Sequence, residues 1–405
     1  MAAGSAAAAQ DSPQSSAPTF GQQLTLGWSA LGAADGSVAA AAGASADPLS
    51  QVEGTGGSLA GSAKYVRRSR QTSFEAGVLG ATRYYDGNSQ LNSINFLGDV
   101  GIATTLGRVT LLTASQQVTR QPYQLVFVSA VAAAPPPATP GIAGDAALAT
   151  RYSTSSNSVV AASERIGTSS SLDVAFAFRR TDVSGQAQPT ISRNVTTAFG
   201  HHLSRHATVK IGYDLAASVD GVRADDPAVV THNVDGGFEL TRPLSDTRSE
   251  KLSFGGGTTA VLDHGATRYR LSGDAAYARN VTRTWLGNIS YHRGVSFLEG
   301  FSGPSDVDTV QLRFAGMVTR RINLALSGSV TTGQVGVAVS TAGYNTCLGT
   351  AVASVPLRRT LSLTTRYDYY AYDFSHDAVM PVGLGHTLHR QTIQIGLTGV
   401  FALRR

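Results

Sequence analysis

A side-chain period of two runs through almost the whole chain and limits what it can fold into. The last segment shows it best: Ile393, Ile395, Leu397, Gly399, Phe401 and Leu403 fall on one parity, and Gln394, Gly396, Thr398 and Ala402 on the other. Successive side chains of a strand point to opposite faces, so one face meets an apolar medium and the other meets water. The alternation recurs upstream. Leu361, Leu363, Tyr367 and Tyr369 oppose Ser362, Thr364, Arg366 and Asp368, and Leu172, Val174, Phe176 and Phe178 oppose Asp173, Ala175, Ala177 and Arg179. Val310, Leu312 and Phe314 oppose Gln311 and Arg313. No run approaches the roughly 18 to 20 apolar residues of a membrane-spanning helix, because the best candidate, Leu125 to Ala134, stops at Pro135, Pro136 and Pro137.

A soluble β-sandwich would also alternate, but three features oppose it. The 14 prolines lie mostly outside the periodic segments, with no composition break to mark a domain boundary. Tight connections such as Leu106 to Arg108, Leu203 to His206, Asn280 to Arg283, Thr319 to Arg321 and Leu357 to Arg359 alternate with longer polar ones. Charges also sit at mid-strand on the polar parity, where a sandwich core would leave them unpaired. Only 15% of residues are charged against 42% hydrophobic, fewer charges than the roughly 25% usual for a soluble chain. The pattern predicts an all-β fold, a transmembrane antiparallel up-and-down barrel of about 18 strands, with about 16 as the fallback. Segments begin near Phe20, Gly57, Thr72, Asn92, Arg108, Ser155, Ser171, Thr190, His206, Val229, Glu250, Thr267, Thr284, Asp308, Arg321, Asn345, Arg359 and Arg390. Each is expected to span about 9 to 11 residues. Alternation is weakest in the fifth and sixth.

Residues 1–19 read as a flexible periplasmic tail and 20–405 as a single barrel with both termini on the short-turn side. Met1 to Pro18 has neither a basic n-region nor a bulky apolar h-region, so export is expected to depend on a signal peptide ahead of this segment. Trp28, Tyr65, Tyr84, Trp285, Tyr291, Tyr369 and Phe401 lie near segment ends, as interfacial girdle residues would.

The chemistry of catalysis and cofactor binding finds little support. The single Cys347 forms no intrachain disulfide and no Cys-based zinc site. Adjacent His201 and His202 point to opposite faces, and His206 follows the turn. His376, Asp377, His386 and His389 lie on a long loop without metal-ligand spacing. Asp225, Asp226, Asp306 and Asp308 lack the twelve-residue pattern of a calcium loop. The runs Gly255-Gly256-Gly257 and Gly54-Thr55-Gly56-Gly57 open no helix and match no phosphate-binding fingerprint. Despite a net charge of +5, Arg and Lys are dispersed rather than gathered with aromatics, which argues against nucleic acid. The expectation is no catalytic residue, no cofactor and no metal.

What remains is the interior. With the apolar parity facing lipid, Lys64, Glu75, Arg83, Asp99, Asp173, Arg179, Lys210, Asp214, Asp235, Glu239, Arg268, Arg270, Asp274, Arg313, Arg366 and Asp368 line a lumen. Side chains alone do not fill a barrel of about 18 strands, and mixed inward charges need water or one another. An aqueous passage follows. The long connection from Gln121 to Thr154 carries apolar Val126, Phe127, Val128 and Val131 ahead of Pro135, Pro136 and Pro137. Tyr123 to Gly144, with Tyr123, Phe127, Val131 and Pro136, is therefore a candidate constriction loop.

The segments Arg205 to Leu215, Arg321 to Val330, Arg359 to Tyr369 and Gln391 to Leu403 resemble those of bacterial outer-membrane barrels of the porin type, in particular barrels associated with exopolysaccharide export. The resemblance implies an outer-membrane location and a polymer exit pore working beside a periplasmic polysaccharide-export protein. Outer-membrane lipid and the barrel-assembly machinery would be further partners. One departure is the terminus, Phe401-Ala402-Leu403-Arg404-Arg405, where such barrels carry a terminal aromatic. A small-solute channel, a structural or adhesion barrel presenting surface loops, and an outer-membrane enzyme are the alternatives.

Overall fold

The computed structural model describes residues 21–36, 54–86, 92–107, 109–123, 148–184, 189–219, 229–245, 248–263, 265–282, 284–297, 304–335, 342–378 and 386–404. Eighteen strands account for nearly all of them: β1 (Gly21–Gly36), β2 (Gly54–Arg68), β3 (Thr72–Tyr85), β4 (Ser93–Leu106), β5 (Thr110–Tyr123), β6 (Leu148–Ile166), β7 (Ser170–Val183), β8 (Thr190–His202), β9 (Ala207–Val219), β10 (Val229–Ser245), β11 (Arg248–Asp263), β12 (Ala266–Asn280), β13 (Trp285–Phe297), β14 (Pro304–Met317), β15 (Asn323–Val335), β16 (Ala342–Arg358), β17 (Leu361–Phe374) and β18 (Thr387–Arg404). Each strand pairs antiparallel with its sequence neighbours, and β1 pairs with β18 from Gln23↔Arg404 to Gly36↔Gln391. The sheet therefore closes on itself without an edge, the arrangement that satisfies every strand's backbone groups in a medium that offers none.

The strand count and both termini on the short-turn side agree with the sequence reading, and Thr72, Thr190 and Val229 open their strands at the expected residue. Three expectations are corrected. Strands run 13 to 19 residues rather than the bare membrane crossing, since pairing continues into the aqueous rim. The sixth strand begins at Leu148, seven residues ahead of Ser155, because Tyr152 to Thr154 and, past a register shift, Leu148 pair with β5 although this stretch does not clearly alternate in polarity. The connections also do not alternate strictly: β11 and β12 meet on the long-loop side through 264–265 alone, with Gly265 at φ 79° supplying the left-handed turn.

Proline obeys its sheet rule. The three register shifts fall between Pro122 and Tyr123, Pro243 and Ser245, and Pro356 and Arg358, at strand ends where a missing N–H disturbs the ladder least.

The two faces are unequal. Outward positions carry large apolar side chains in water-accessible array, among them Leu59, Ile94, Phe96, Ile211, Phe254, Leu271, Leu312, Ile393 and Ile395. Monomeric soluble proteins do not present so extensive an apolar belt. Trp285 stacks on Phe314 with centroids 4.6 Å apart near the short-turn end, while Tyr84 is exposed on an outward position next to the long-loop end of β3 and Tyr291 on one at the middle of β13. An edgeless barrel with an apolar exterior flanked by aromatics is a transmembrane barrel of the bacterial outer-membrane type.

Candidate functional site: the interior wall

Pairing fixes which residues share the inner face. Asp368 sits opposite Thr350 and Thr392, Thr392 opposite Asp35, and Asp35 opposite Gly54. Followed around the barrel, this parity contains all sixteen charged residues singled out above, from Lys64 and Glu75 through Asp274 and Arg313 to Arg366 and Asp368. The wall is otherwise rich in hydroxyls and amides. Thr309 bonds Thr331 and Thr364 bonds Thr398, each at 3.0 Å, while Asn233 accepts from Thr259 at 2.9 Å and from Ser272 at 2.8 Å.

Ion pairs take up Lys64, Glu75, Arg83, Lys210, Glu239, Arg270, Arg366 and Asp368 of these charges. Near the short turns, Lys64 reaches Glu75 at 2.5 Å, and Glu239 bridges Lys210 and Lys251 at 2.7 and 3.0 Å. Arg366 engages Asp368 through Nε at 2.6 Å and Nη2 at 2.9 Å, and Thr350 donates to the same carboxylate at 2.8 Å. Where the β12–β13 ladder has ended, Arg270 meets Asp306 at 2.7 Å. Three acids lean over glycines directly paired with them. A Cβ on Gly77 would fall 2.5 Å from Asp99 Oδ1, one on Gly212 2.5 Å from Asp235 Oδ1, and one on Gly255 2.7 Å from Asp274 Oδ1. The missing side chains let these carboxylates lie flat along the wall.

Two features escaped the sequence reading. The first is a buried cluster across the closure seam, formed by Asp35 of β1, Arg390 of β18, and Arg83 and Tyr85 of β3. Asp35 Oδ2 accepts from Arg83 Nη2 and Arg390 Nη2, each at 2.9 Å, and from the Tyr85 hydroxyl, which also accepts from Arg390 at 2.6 Å. The Arg83 guanidinium lies 4.5 Å over the Tyr85 ring. Of the four, only Arg83 stood out in the sequence. The second feature is an aromatic sector. Tyr344, Tyr370, Tyr372 and Phe374 occupy inner positions and pack with Ala342, Ala378 and Leu388. An interior polar throughout is therefore corrected. The run Tyr369-Tyr370-Ala371-Tyr372, where alternation fails, was the available signal.

Elsewhere the local pairings are structural. Asp308 accepts from the Tyr291 hydroxyl at 2.6 Å and lies 3.9 Å from Arg293. Ser170 meets His201 Nδ1 at 2.9 Å and Thr208 meets His202 Nδ1 at 2.8 Å. His376 and His386 stand 5.5 Å apart between ring centroids. Among the described residues no group of three or more His, Cys, Asp or Glu is arranged to hold a metal ion. Phe127, Val131 and Pro136 of the constriction loop, the Tyr123 side chain, Asp225, Asp226 and residues 1–19 lie outside the described residues.

No family model matches the chain, and neither does any curated protein. Solved structures similar to it are outer-membrane barrels. OccAB4 of Acinetobacter baumannii is 9% identical, with a TM-score of 0.49 over 95% of this chain and 99% of that one. OpdQ of Pseudomonas aeruginosa is 10% identical, with a TM-score of 0.45 over 95% and 97%. The FrpB iron transporter of Neisseria meningitidis is 9% identical, with a TM-score of 0.47 over 94% and 82%. The barrel assignment rests on the chain's own ladder.

Proposed function

We propose that the protein is a channel of the bacterial outer membrane that passes hydrophilic solutes carrying little net charge. The observation that carries this reading is the chemistry of the inner wall, where hydroxyl and amide groups recur and acids and bases are interspersed in similar number, many of them in ion pairs. Such a wall exchanges hydrogen bonds with a solute without presenting a net field of either sign. A binding enzyme site would need a nucleophile, a base and an orienting group in reach of one another, and the Ser170–His201 contact has no carboxylate on it among the described residues.

The finer version of the reading is an exit pore for an exopolysaccharide, with a periplasmic export protein delivering the chain to the short-turn mouth. A hydroxyl-lined passage suits a polyol polymer, and the segment resemblance supports it. Tyr123 to Gly144 would narrow the lumen in this scheme. The test is reconstitution into planar bilayers and into liposomes. Single-channel conductance together with swelling in neutral oligosaccharides is expected. Absence of both from correctly assembled protein would refute the channel and favour a barrel that presents its loops.

A further inference from the structure

Among the described residues, the exterior of β5 to β8 differs from that of the adjacent β4. On β4 the outward positions are Ile94, Phe96, Val100 and Ile102, an ordinary lipid-facing row. On β5 and β6 the corresponding mid-strand positions are Gln116, Ser156 and Ser158. They are knit together: Gln116 Nε2 donates to Ser156 at 2.8 Å, and the Ser158 hydroxyl donates to Gln116 Oε1. Self-satisfied in this way, the three polar groups avoid most of the penalty of facing hydrocarbon.

Above this column the outward side chains become basic. Arg120 of β5, Arg180 of β7 and Arg193 of β8 are all exposed, and each lies three residues in from the long-loop end of its strand. Register places them together. Arg120 pairs with Thr154, which pairs with Asp182; Arg180 pairs with Ser156; and Arg193 pairs with Phe178, diagonal to Arg180. Arg120 lies in the row of Asp182 and Arg193 in the row of Phe178, four residues further along β7, so a strand spacing of about 4.8 Å and a rise of about 3.3 Å per residue put the backbones of these two arginines about 20 Å apart, with Arg180 between them. Arg120 lies over the Tyr152 ring at 5.3 Å, a pose that leaves guanidinium N–H groups available. Arg180 is held by Asp182 at 3.1 and 3.3 Å. Among the described residues Arg193 has no acidic partner. One carboxylate thus stands among three guanidiniums, at a depth where the apolar belt gives way to headgroups.

We propose that this sector of β5 to β8 binds the phosphorylated headgroup of an outer-leaflet lipid, with Arg120 and Arg193 as the phosphate contacts and Thr154 and Ser156 facing the sugar or glycerol portion. Guanidinium forks match phosphate oxygens in pairs. The hydroxyl column lets a polar headgroup sink deeper here than beside Ile94 or Phe96. The inference rests on the outer-membrane reading for its orientation, since the long loops then mark the outer leaflet. Charge argues against a second copy as the occupant, because two such faces brought together would double an excess of guanidinium over carboxylate.

The test uses the full chain refolded into phosphatidylcholine nanodiscs containing trace bisphosphorylated lipid A or its dephosphorylated form. Binding is read by native mass spectrometry, and assembly by heat-modifiable migration. Preference for the phosphorylated lipid is expected, weakened roughly fivefold by R120Q and again by R193Q, with substantial rescue by Lys at either position. R279Q, at the short-turn end of β12, should change nothing. Equal retention of both lipids, or insensitivity to R120Q and R193Q in assembled protein, overturns the proposal. So does full displacement by inorganic phosphate, or a dimer that dissociates on the same substitutions. Conductance measured in parallel is expected to be unaffected by R120Q and R193Q, so that a failed channel reading and a failed lipid site are told apart.

Discussion

Asp35 is the position where one substitution tests most of the reasoning about how the barrel is held shut. Its side chain is fully buried, with Arg83 and Arg390 respectively 4% and 9% exposed on their side chains. Asp35→Ala removes the one carboxylate between two guanidiniums and leaves no water to replace it. Deleting one partner of a buried ion pair costs about 3 to 5 kcal/mol, mostly through the stranded charge rather than the lost attraction. Here two cations are stranded beside each other, so the upper end, about 5 kcal/mol, is expected. Asp35→Asn keeps an acceptor oxygen but not the charge and should lose about half as much. The triple variant D35L/R83L/R390M removes the charges together and should be milder than Asp35→Ala, since apolar replacement of a whole buried network is often close to neutral. The assay is urea unfolding in liposomes, followed by Trp28 fluorescence on the same seam and by heat-modifiable migration. A loss below about 1 kcal/mol for Asp35→Ala, or a triple variant worse than the single, would refute the view that the cluster is a dry ionic clasp.

Facing is tested by Leu312→Arg, expected to cost about 2 to 4 kcal/mol in membrane assembly because it puts a cation against lipid near mid-strand, whereas Arg313→Gln on the inner face should cost little; equal impairment would reverse the faces of β14. Gly396→Ala should destabilise by about 1 to 3 kcal/mol, because its Cβ would stand 2.0 Å from the Ala30 carbonyl oxygen and 2.7 Å from Leu31 Cα, and backbone at a closed seam cannot retreat; wild-type unfolding would show that β1 and β18 are less tightly apposed. Reversal potentials under a salt gradient should show weak ion selectivity, because the inward charges are of both signs in similar number and many sit in ion pairs; near-ideal preference for either sign would mean that the wall presents a net field to the open pore.

Local periodicity was enough to read strand number and the closed barrel, because both follow from polarity that repeats every second residue. It failed where a residue's surroundings are set by strands far away in sequence. The start of β6 carries no clear alternation, and it is held to β5 through Tyr152, Ser153 and Thr154 and, past a register shift, through Leu148. Tyr370, Tyr372 and Phe374 stand on the polar parity of β17, yet they are buried because Tyr344 of β16 and Leu388 of β18 close over them. Asp35 and Arg390 are separated by 355 positions and pair only once β1 lies beside β18. The alternation nevertheless contains the reason for that cluster. Closure makes the first and last strands neighbours, the even strand number makes them antiparallel, and no hairpin joins that pair at either end. The backbone ladder runs to Gly36↔Gln391, and side chains reinforce it from the inner positions next to the long-loop end, where Asp35 and Arg390 stand.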